Sequence, residues 1–162
     1  MADESILIYD VKIRVVWAVK GSRPRQLATG SHRRIVVLGA LAEDGTQLFR
    51  TSKNADGSTF LNYLKQLHRK YSHMVLYLDK ATYHKKDKKV QAYLKKHRKN
   101  IRIRWFPSGF PESNPVEECW NQGKNELIGS RFHNTFQDFK NATITYYRTK
   151  RFKLDLYKYL CQ

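Results

Sequence analysis

The sequence predicts a single mixed α/β domain over residues 1–162, with a sheet of about five strands flanked by helices. Three observations support this class. Short runs rich in Ile, Val, Leu and Tyr, separated by turn residues, occupy the first third of the chain and are typical of strands. Apolar residues at helical spacing then alternate with two further apolar runs. A length of 162 residues suits one hydrophobic core.

The predicted strands of the first third are antiparallel. Residues 5–9, 13–19 and 35–41 are strand-like runs, with a break at Gly21-Ser22-Arg23-Pro24. Glu43-Asp44-Gly45 is a hairpin signal, after which residues 47–51 return beside the preceding strand.

Helices and two buried strands are predicted for the rest of the chain. A first helix follows Ser58 or Thr59, either of which is a suitable N-cap, and its apolar positions are Phe60, Leu64, Leu67 and Tyr71. The later elements are a strand at 74–78, a basic helix at 85–96, a strand at 101–105, a loop at 107–113, a helix opened by Asn114 and a helix from about Phe136. This order agrees with a ribonuclease-H-like architecture, although other α/β folds share it.

The charge of the chain indicates the class of partner. Lys and Arg total 31 against 14 acidic residues, which gives a net charge of +17. Such an excess attracts polyanions through counterion release, and nucleic acid is favoured over membrane because no basic helix has a clean apolar face. There is neither a secretory signal nor an apolar run of about 18 residues. Cys119 and Cys161 lack metal-type spacing, so we expect an intracellular protein of the cytoplasm or nucleoid with no membrane partner.

Three carboxylates are the candidate catalytic residues. Asp3 lies in the first strand, Asp79 ends the strand at 74–78, and Glu117 lies in the first turn of a late helix. In sequence, 75 residues separate Asp3 from Asp79 and 37 separate Asp79 from Glu117. Carboxylates that converge at one end of a sheet suit Mg²⁺ or Mn²⁺, which prefer hard oxygen ligands.

Each carboxylate also has a purely structural interpretation. Asp3 could be a frayed terminal residue, and Asp79 could start a turn. Glu117 follows Asn114 and Pro115 at the spacing of a capping box, in which its side chain would bond back to the cap. Glu118 is the alternative third ligand.

Three blocks of sequence surround these carboxylates. The first holds Asp3-Glu4-Ser5, Trp17, Lys20-Gly21 and Pro24; the second holds Leu76-Tyr77-Leu78-Asp79 and His84; the third holds Pro107, Pro111-Glu112, Asn114-Pro115-Val116-Glu117 and Trp120. In this order the blocks resemble the mariner-like superfamily of DDE transposases, particularly its prokaryotic insertion-sequence branch. The resemblance spans residues 3 to about 127, and the third block is its most specific part.

The resemblance implies a function. A member of this superfamily would hold two Mg²⁺ or Mn²⁺ ions on Asp3, Asp79 and Glu117, and would hydrolyse phosphodiesters and transfer strands at transposon ends. Cut-and-paste insertion at TA dinucleotides and synapsis of double-stranded ends by a homodimer are also implied. The family carries helix-turn-helix modules upstream, which we expect this sequence to lack because Asp3 stands almost at its start.

Several residues depart from the family pattern or support it. Lys80 replaces the usual Asn after the second aspartate, and Gly109 and Ser113 also differ. The predicted DNA-binding residues are Lys80, His84, Lys85, Lys86, Lys88 and Lys89, for which a solvated basic face is the alternative. Trp17, Trp105 and Trp120 are predicted to lie in the core, with Trp120 fixing where Glu117 points.

Two rival functions share many of these features. One is another ribonuclease-H-like nuclease, such as a resolvase or a nuclease of RNA–DNA hybrids. The other is a non-catalytic DNA-binding remnant of a transposase, which Lys80 and the early position of Asp3 make credible.

Overall fold

The computed structural model describes residues 1–10, 17–107, 113–129 and 131–160. The strands are β1 Ala2–Ile8, β2 Arg34–Leu41, β3 Gln47–Ser52, β4 Met74–Leu78 and β5 Ile101–Trp105. The helices are α1 Gly57–Lys70, α2 Thr82–Lys86, α3 Lys88–Lys96, α4 Val116–Lys124, α5 Phe136–Thr149 and α6 Tyr157–Leu160, with a π-helical turn at Asn125–Gly129 after α4. The predicted mixed α/β class is confirmed.

The first three strands form an antiparallel sheet in the order β1-β2-β3. The predicted hairpin joins β2 to β3, where Gly45 has a φ of 76° and the Ala42 N–H bonds to the carbonyl of Thr46. In the register of β1 and β2, Asp3 lies opposite Gly39. Residues 13–16 of the predicted strand at 13–19 lie outside the described residues, and residues 17–19 are not in a strand.

The other two strands form a separate parallel sheet, β4-β5. β4 lies beside β1, but the described parts of these strands share no hydrogen-bonded ladder. The five strands expected of one mixed sheet are therefore hydrogen-bonded as three plus two. Side chains, instead of backbone bonds, join the two sheets.

Alternation along the strands divides the core into two. Residues such as Val36 and Leu38 face a cluster formed with α1, α3 and β4, whereas Leu7 and Val37 face a cluster formed with α4 and α5. Because side chains of a strand point to opposite faces in turn, consecutive residues of β2 belong to different clusters, and Ala2 and Leu7 of β1 likewise lie in different ones. This alternation directs neighbouring polar residues of β1 to opposite faces of the sheet.

Asp56 and Asp87 begin two of the helices. The carboxylate of Asp56 accepts the N–H of Thr59, so Asp56 is the N-cap of α1 and the predicted caps, Ser58 and Thr59, are wrong by two to three residues. The helix predicted over 85–96 is divided at Asp87, whose carboxylate accepts N–H groups at the start of α3. A side-chain acceptor at this position satisfies the first free N–H groups of α3 and allows a new helix to begin.

The three tryptophans differ in burial. Trp120 is 1% exposed, as predicted, because it lies on the face of α4 that packs against the sheet. Trp17 is fully exposed and Trp105 is 36% exposed, so their predicted core positions are wrong. Trp105 ends the edge strand β5, where its ring lies under the ammonium group of Lys85 at 5.1 Å. No helix in the described segments has the length and apolar character needed to cross a bilayer.

Gly39 allows α4 to approach the sheet closely. A Cβ at this position would lie 2.6 Å from the indole of Trp120 and 2.5 Å from the ring of Phe49. Both rings are buried and pack edge to face, so neither is free to move away. The absence of a side chain at Gly39 therefore sets the separation between β2 and α4.

We expect Gly39→Ala to lower the free energy of unfolding by about 1–3 kcal/mol, because the added methyl group overpacks a rigid core. Denaturant unfolding measures the change. The exposed substitution Ser72→Ala should stay within about 0.5 kcal/mol of wild type. Equal stability of Gly39→Ala and wild type would show that Phe49 and Trp120 can move to accommodate the added methyl group.

Candidate active site

Asp3 is held in a buried position between β1 and α4. It is 8% exposed, and the indole Nε1–H of Trp120 donates a hydrogen bond to its Oδ2 at 2.9 Å. Asp3 points toward α4 because it lies on the same face of β1 as Leu7, which packs in the cluster of α4 and α5. The alternative interpretation of Asp3 as a frayed terminal residue is therefore wrong.

The environment of Asp3 disfavours its ionised form in the metal-free protein. Burial raises the pKa of Asp3 to about 7, the hydrogen bond from Trp120 opposes this shift, and the negative charges of Glu117 and Glu4 add to it. A buried carboxylate surrounded by like charges is a place where a cation would be stabilised.

Glu117 lies in the first turn of α4, on the side of Asp3. The side-chain oxygen of Asn114 accepts the N–H of Val116 at 3.2 Å, but no side-chain bond from Glu117 completes a capping box among the described residues. Glu118 accepts a bond from Gln122 along the same helix at 2.9 Å. These contacts favour Glu117 over Glu118 as the partner of Asp3.

Asp79 follows β4 directly, and half of its side chain is exposed. Its Oδ1 accepts the N–H of Ala81 at 3.1 Å and faces Nδ1 of His84 at 2.8 Å. The hydrogen bond from His84 lowers the pKa of Asp79, so this carboxylate is ionised at neutral pH. Asp79 thus starts a turn, as its structural interpretation predicted, while half of its side chain remains exposed.

His84 is buried between two carboxylates. Its Nε2 lies 3.1 Å from Oε1 of Glu4, its Nδ1 contacts Asp79, and its side chain is 0% exposed. Burial lowers the pKa of His84, but the hydrogen bonds and charges of Asp79 and Glu4 outweigh burial and raise it to about 9. Because its ring is buried, His84 is not exposed for the direct DNA contact that the sequence predicts.

Glu4 was not singled out by the sequence analysis. It is adjacent to Asp3 but points to the opposite face of β1, toward His84. The signal that could have found it is the alternation of β1: if Asp3 faces α4, Glu4 must face the side on which β4 and α2 lie.

Electrostatic contacts link the predicted carboxylates in pairs, without forming a closed metal site. The charge of Glu117 acts on Asp3, and the charges of Glu4, Asp79 and Asp3 all add to the effect of burial in raising the pKa of Tyr83. Among the described residues, however, no group of three or more His, Cys, Asp or Glu side chains is arranged to hold a metal ion. The donor chemistry fits a hard divalent cation.

The predicted lysines lie on the surface, on the elements that follow Asp79 along the chain. The side chains of Lys80, Lys85, Lys86, Lys88 and Lys89 are all exposed, on the loop after β4 and on α2 and α3. Exposed cations in this position can reach a phosphate backbone that approaches the carboxylates. Pro111, Glu112 and Gly109 of the third block lie outside the described residues.

In buffer that contains a metal chelator, the free energy of unfolding of wild type should fall relative to that of Asp3→Asn as the pH rises from about 4 to about 7. In the unfolded chain the carboxyl of Asp3 ionises near its ordinary pKa of 3.8, whereas in the folded protein it keeps its proton until about pH 7. The folded state therefore binds more protons in this window. The relative loss reaches about 4 kcal/mol at most. Denaturant unfolding across this pH range measures the loss. If the free energies of unfolding of the two proteins depend on pH in the same way, the raised pKa of buried Asp3 is contradicted.

Comparison with known proteins identifies the family. The family described as DDE superfamily endonuclease matches residues 1–140. Among solved structures, the Mos1 transposase paired-end complex with left transposon end is similar, with a TM-score of 0.67 and 14% identity over 98% of this chain and 49% of that chain. The Mos1 strand transfer complex has a TM-score of 0.67 and 13% identity over 98% of this chain and 48% of that chain. The Mos1 mariner paired-end complex with Mn has a TM-score of 0.60 and 14% identity over 93% of this chain and 48% of that chain.

No curated protein matches the chain. The chain spans about half the length of the Mos1 chains that it resembles, and at this identity the likeness is one of fold. The family match, by contrast, covers most of the chain and includes Asp3, Asp79 and Glu117. The chain therefore belongs to the DDE superfamily of endonucleases.

Proposed function

We propose that this chain is the catalytic domain of a cut-and-paste DNA transposase, from the prokaryotic insertion-sequence branch of the mariner-like superfamily. The observation that carries the proposal is the pairing of Asp3 with α4. Trp120 bonds to Asp3, and Glu117 lies one helical turn before Trp120 on the same helix. This contact brings the first and third sequence blocks together, although Asp3 and Trp120 are 117 positions apart in sequence.

The metal-binding part of the proposal rests on the chemistry of the carboxylates. Asp3, Asp79 and Glu117 would hold two Mg²⁺ or Mn²⁺ ions, which supply activation of a nucleophile and stabilisation of a leaving oxygen when bound. Asp3 is buried and close to the charge of Glu117, and one oxygen of Asp79 faces outward. Small movements of these side chains toward a shared cation would relieve the repulsion among them.

The chain's own residues would orient the reactants. Trp120 fixes one oxygen of Asp3, and His84 fixes one oxygen of Asp79. Water would attack a phosphodiester at the transposon end, and the released 3′-hydroxyl would then attack target DNA in line. Positioning and charge account for such phosphoryl chemistry, so no covalent bond between protein and DNA is required.

Double-stranded DNA is the proposed partner. The solved complexes that this fold resembles include Mos1 transposase with a transposon end, and the net charge of +17 supports binding to a polyanion. We propose that the exposed lysines near Asp79 contact phosphates and that two copies synapse a pair of ends inside the cell. We also propose that residues 1–162 form one ribonuclease-H-like domain, in which the two sheets act as one.

We expect the chain to nick DNA in the presence of Mg²⁺ or Mn²⁺, and Asp79→Asn and Glu117→Gln each to reduce this activity by roughly 100-fold or more, because each removes a metal-binding charge. A plasmid relaxation assay with and without chelator measures the rates. Glu118→Gln is the matched control, since it removes a neighbouring charge that is engaged along α4.

The outcomes separate the proposal from its rivals. Equal nicking by wild type and Asp79→Asn would exclude the assigned site. Preferential cleavage of four-way junctions or RNA–DNA hybrids over duplex would indicate another nuclease of similar fold. DNA binding without Mn²⁺ binding that depends on these carboxylates would indicate a non-catalytic remnant.

We expect the double substitution Lys88→Gln and Lys89→Gln to weaken DNA binding. It should also reduce the steepness of log K against log salt concentration by about 2, because each lost phosphate contact lowers this slope by about 0.9. Fluorescence anisotropy at several salt concentrations measures the slope. Arg148→Gln with Lys153→Gln removes the same charge from exposed positions on and after α5. An equal change of slope in both double variants would refute a localised lysine contact.

A further inference from the structure

Three polar side chains, two of them buried, join the two sheets. Glu4 extends from β1, Asp79 follows β4, and the imidazole of His84 lies between them at 3.1 Å and 2.8 Å. The side chain of His84 is 0% exposed and that of Glu4 is 8% exposed. These three side chains cross the boundary at which β1 and β4 share no backbone ladder.

The ring of His84 is held in place by its surroundings. Its centroid lies 4.1 Å from that of Phe60 on α1 and 4.6 Å from that of Tyr83. The backbone carbonyl of His84 accepts a bond from the side chain of Gln91 on α3 at 2.8 Å. Because both its ring and its backbone are fixed, His84 can determine the orientation of a carboxylate that bonds to it.

The two oxygens of Asp79 have different environments. Oδ1 accepts bonds from Ala81 and His84, whereas no described residue donates to Oδ2. Half of the Asp79 side chain is exposed, and this exposure leaves Oδ2 available from outside. A carboxylate with one oxygen bonded inward presents the other in a defined direction, as ligating carboxylates with hydrogen-bonded outer partners do.

We propose that Glu4 and His84 are a positioning pair for Asp79, in which Glu4 orients the imidazole and the imidazole directs Oδ2 of Asp79 toward a divalent cation. This inference rests on the proposed function. A role limited to joining the sheets makes a different prediction: loss of the pair would then change stability without changing the affinity for metal.

The test measures Mn²⁺ affinity of the whole chain by calorimetry, without DNA, together with thermal unfolding. His84→Phe keeps an aromatic ring against Phe60 and removes both hydrogen bonds, and we expect it to weaken Mn²⁺ binding by about 10- to 100-fold. Glu4→Ala should weaken binding by about 10-fold. Glu4→Gln keeps an acceptor for Nε2 and should restore the affinity to within about 3-fold of wild type.

Tyr9→Phe is the control for stability alone. It removes the hydrogen bond from the Tyr9 hydroxyl to the carbonyl of His133 in the other core cluster, and we expect unchanged Mn²⁺ affinity. If His84→Phe does not fold, the comparison of Glu4→Ala with Glu4→Gln decides the question.

The contrary results are distinct. Wild-type affinity in folded His84→Phe, or in Glu4→Ala if His84→Phe does not fold, would overturn the positioning role and leave the proposed function intact. Equal weakening by Glu4→Ala and Glu4→Gln would also overturn it, since the acceptor would then be irrelevant. Absence of Mn²⁺ binding that depends on Asp79 in wild type would overturn both proposals.

Discussion

The hydrogen bond from Trp120 to Asp3 is the contact on which the geometry of the site depends. It joins the first strand to a helix formed late in the sequence, and it places a donor against a buried carboxylate. An unpartnered buried carboxylate would be strongly destabilising. The bond also fixes the rotation of α4, since Trp120 and Glu117 lie one turn apart on the same face. Loss of this bond would therefore alter both ends of the candidate site together.

Burial and charge repulsion at Asp3 are the second constraint. Burial is the largest cause of the raised pKa of Asp3, and the negative charges of Glu117 and Glu4 add to it. His84 compensates part of this charge on the side of Glu4 and Asp79, where its own pKa rises to about 9. Beside Asp3 and Glu117, the described residues provide the indole of Trp120 but no cation comparable to His84. The negative charge is thus partly neutralised near Glu4 and Asp79, whereas the part of the site near Asp3 and Glu117 remains suited to an added cation.

Much of the fold could be predicted from local pattern. The strands at 35–41, 47–51, 74–78 and 101–105 and the helix from Phe136 follow from apolar runs and turn residues, and each is present within a residue or two. The division of the sheet and the break at Asp87 could not be predicted in this way. Both depend on contacts between distant segments, or on a capping bond that competes with a continuous helix.

The candidate site was predictable in its residues but not in their roles. The spacing of Asp3, Asp79 and Glu117 and the surrounding blocks indicate the carboxylates, yet neither burial nor hydrogen bonding can be inferred from spacing. His84 was predicted to contact DNA because it follows a catalytic block, and the structure places it inside. Trp17 was predicted to be buried because it is large and apolar, although no described element covers it.

Side chains set the separation between Asp3 and Asp79, the two aspartates of the proposed site, because these residues belong to sheets with independent hydrogen bonding. Sliding β4 along β1 would break no backbone bond between these described strands; it would only disturb packing and the imidazole bridge. A change in the distance between the two aspartates would consequently leave the hydrogen-bonded ladder of each sheet intact.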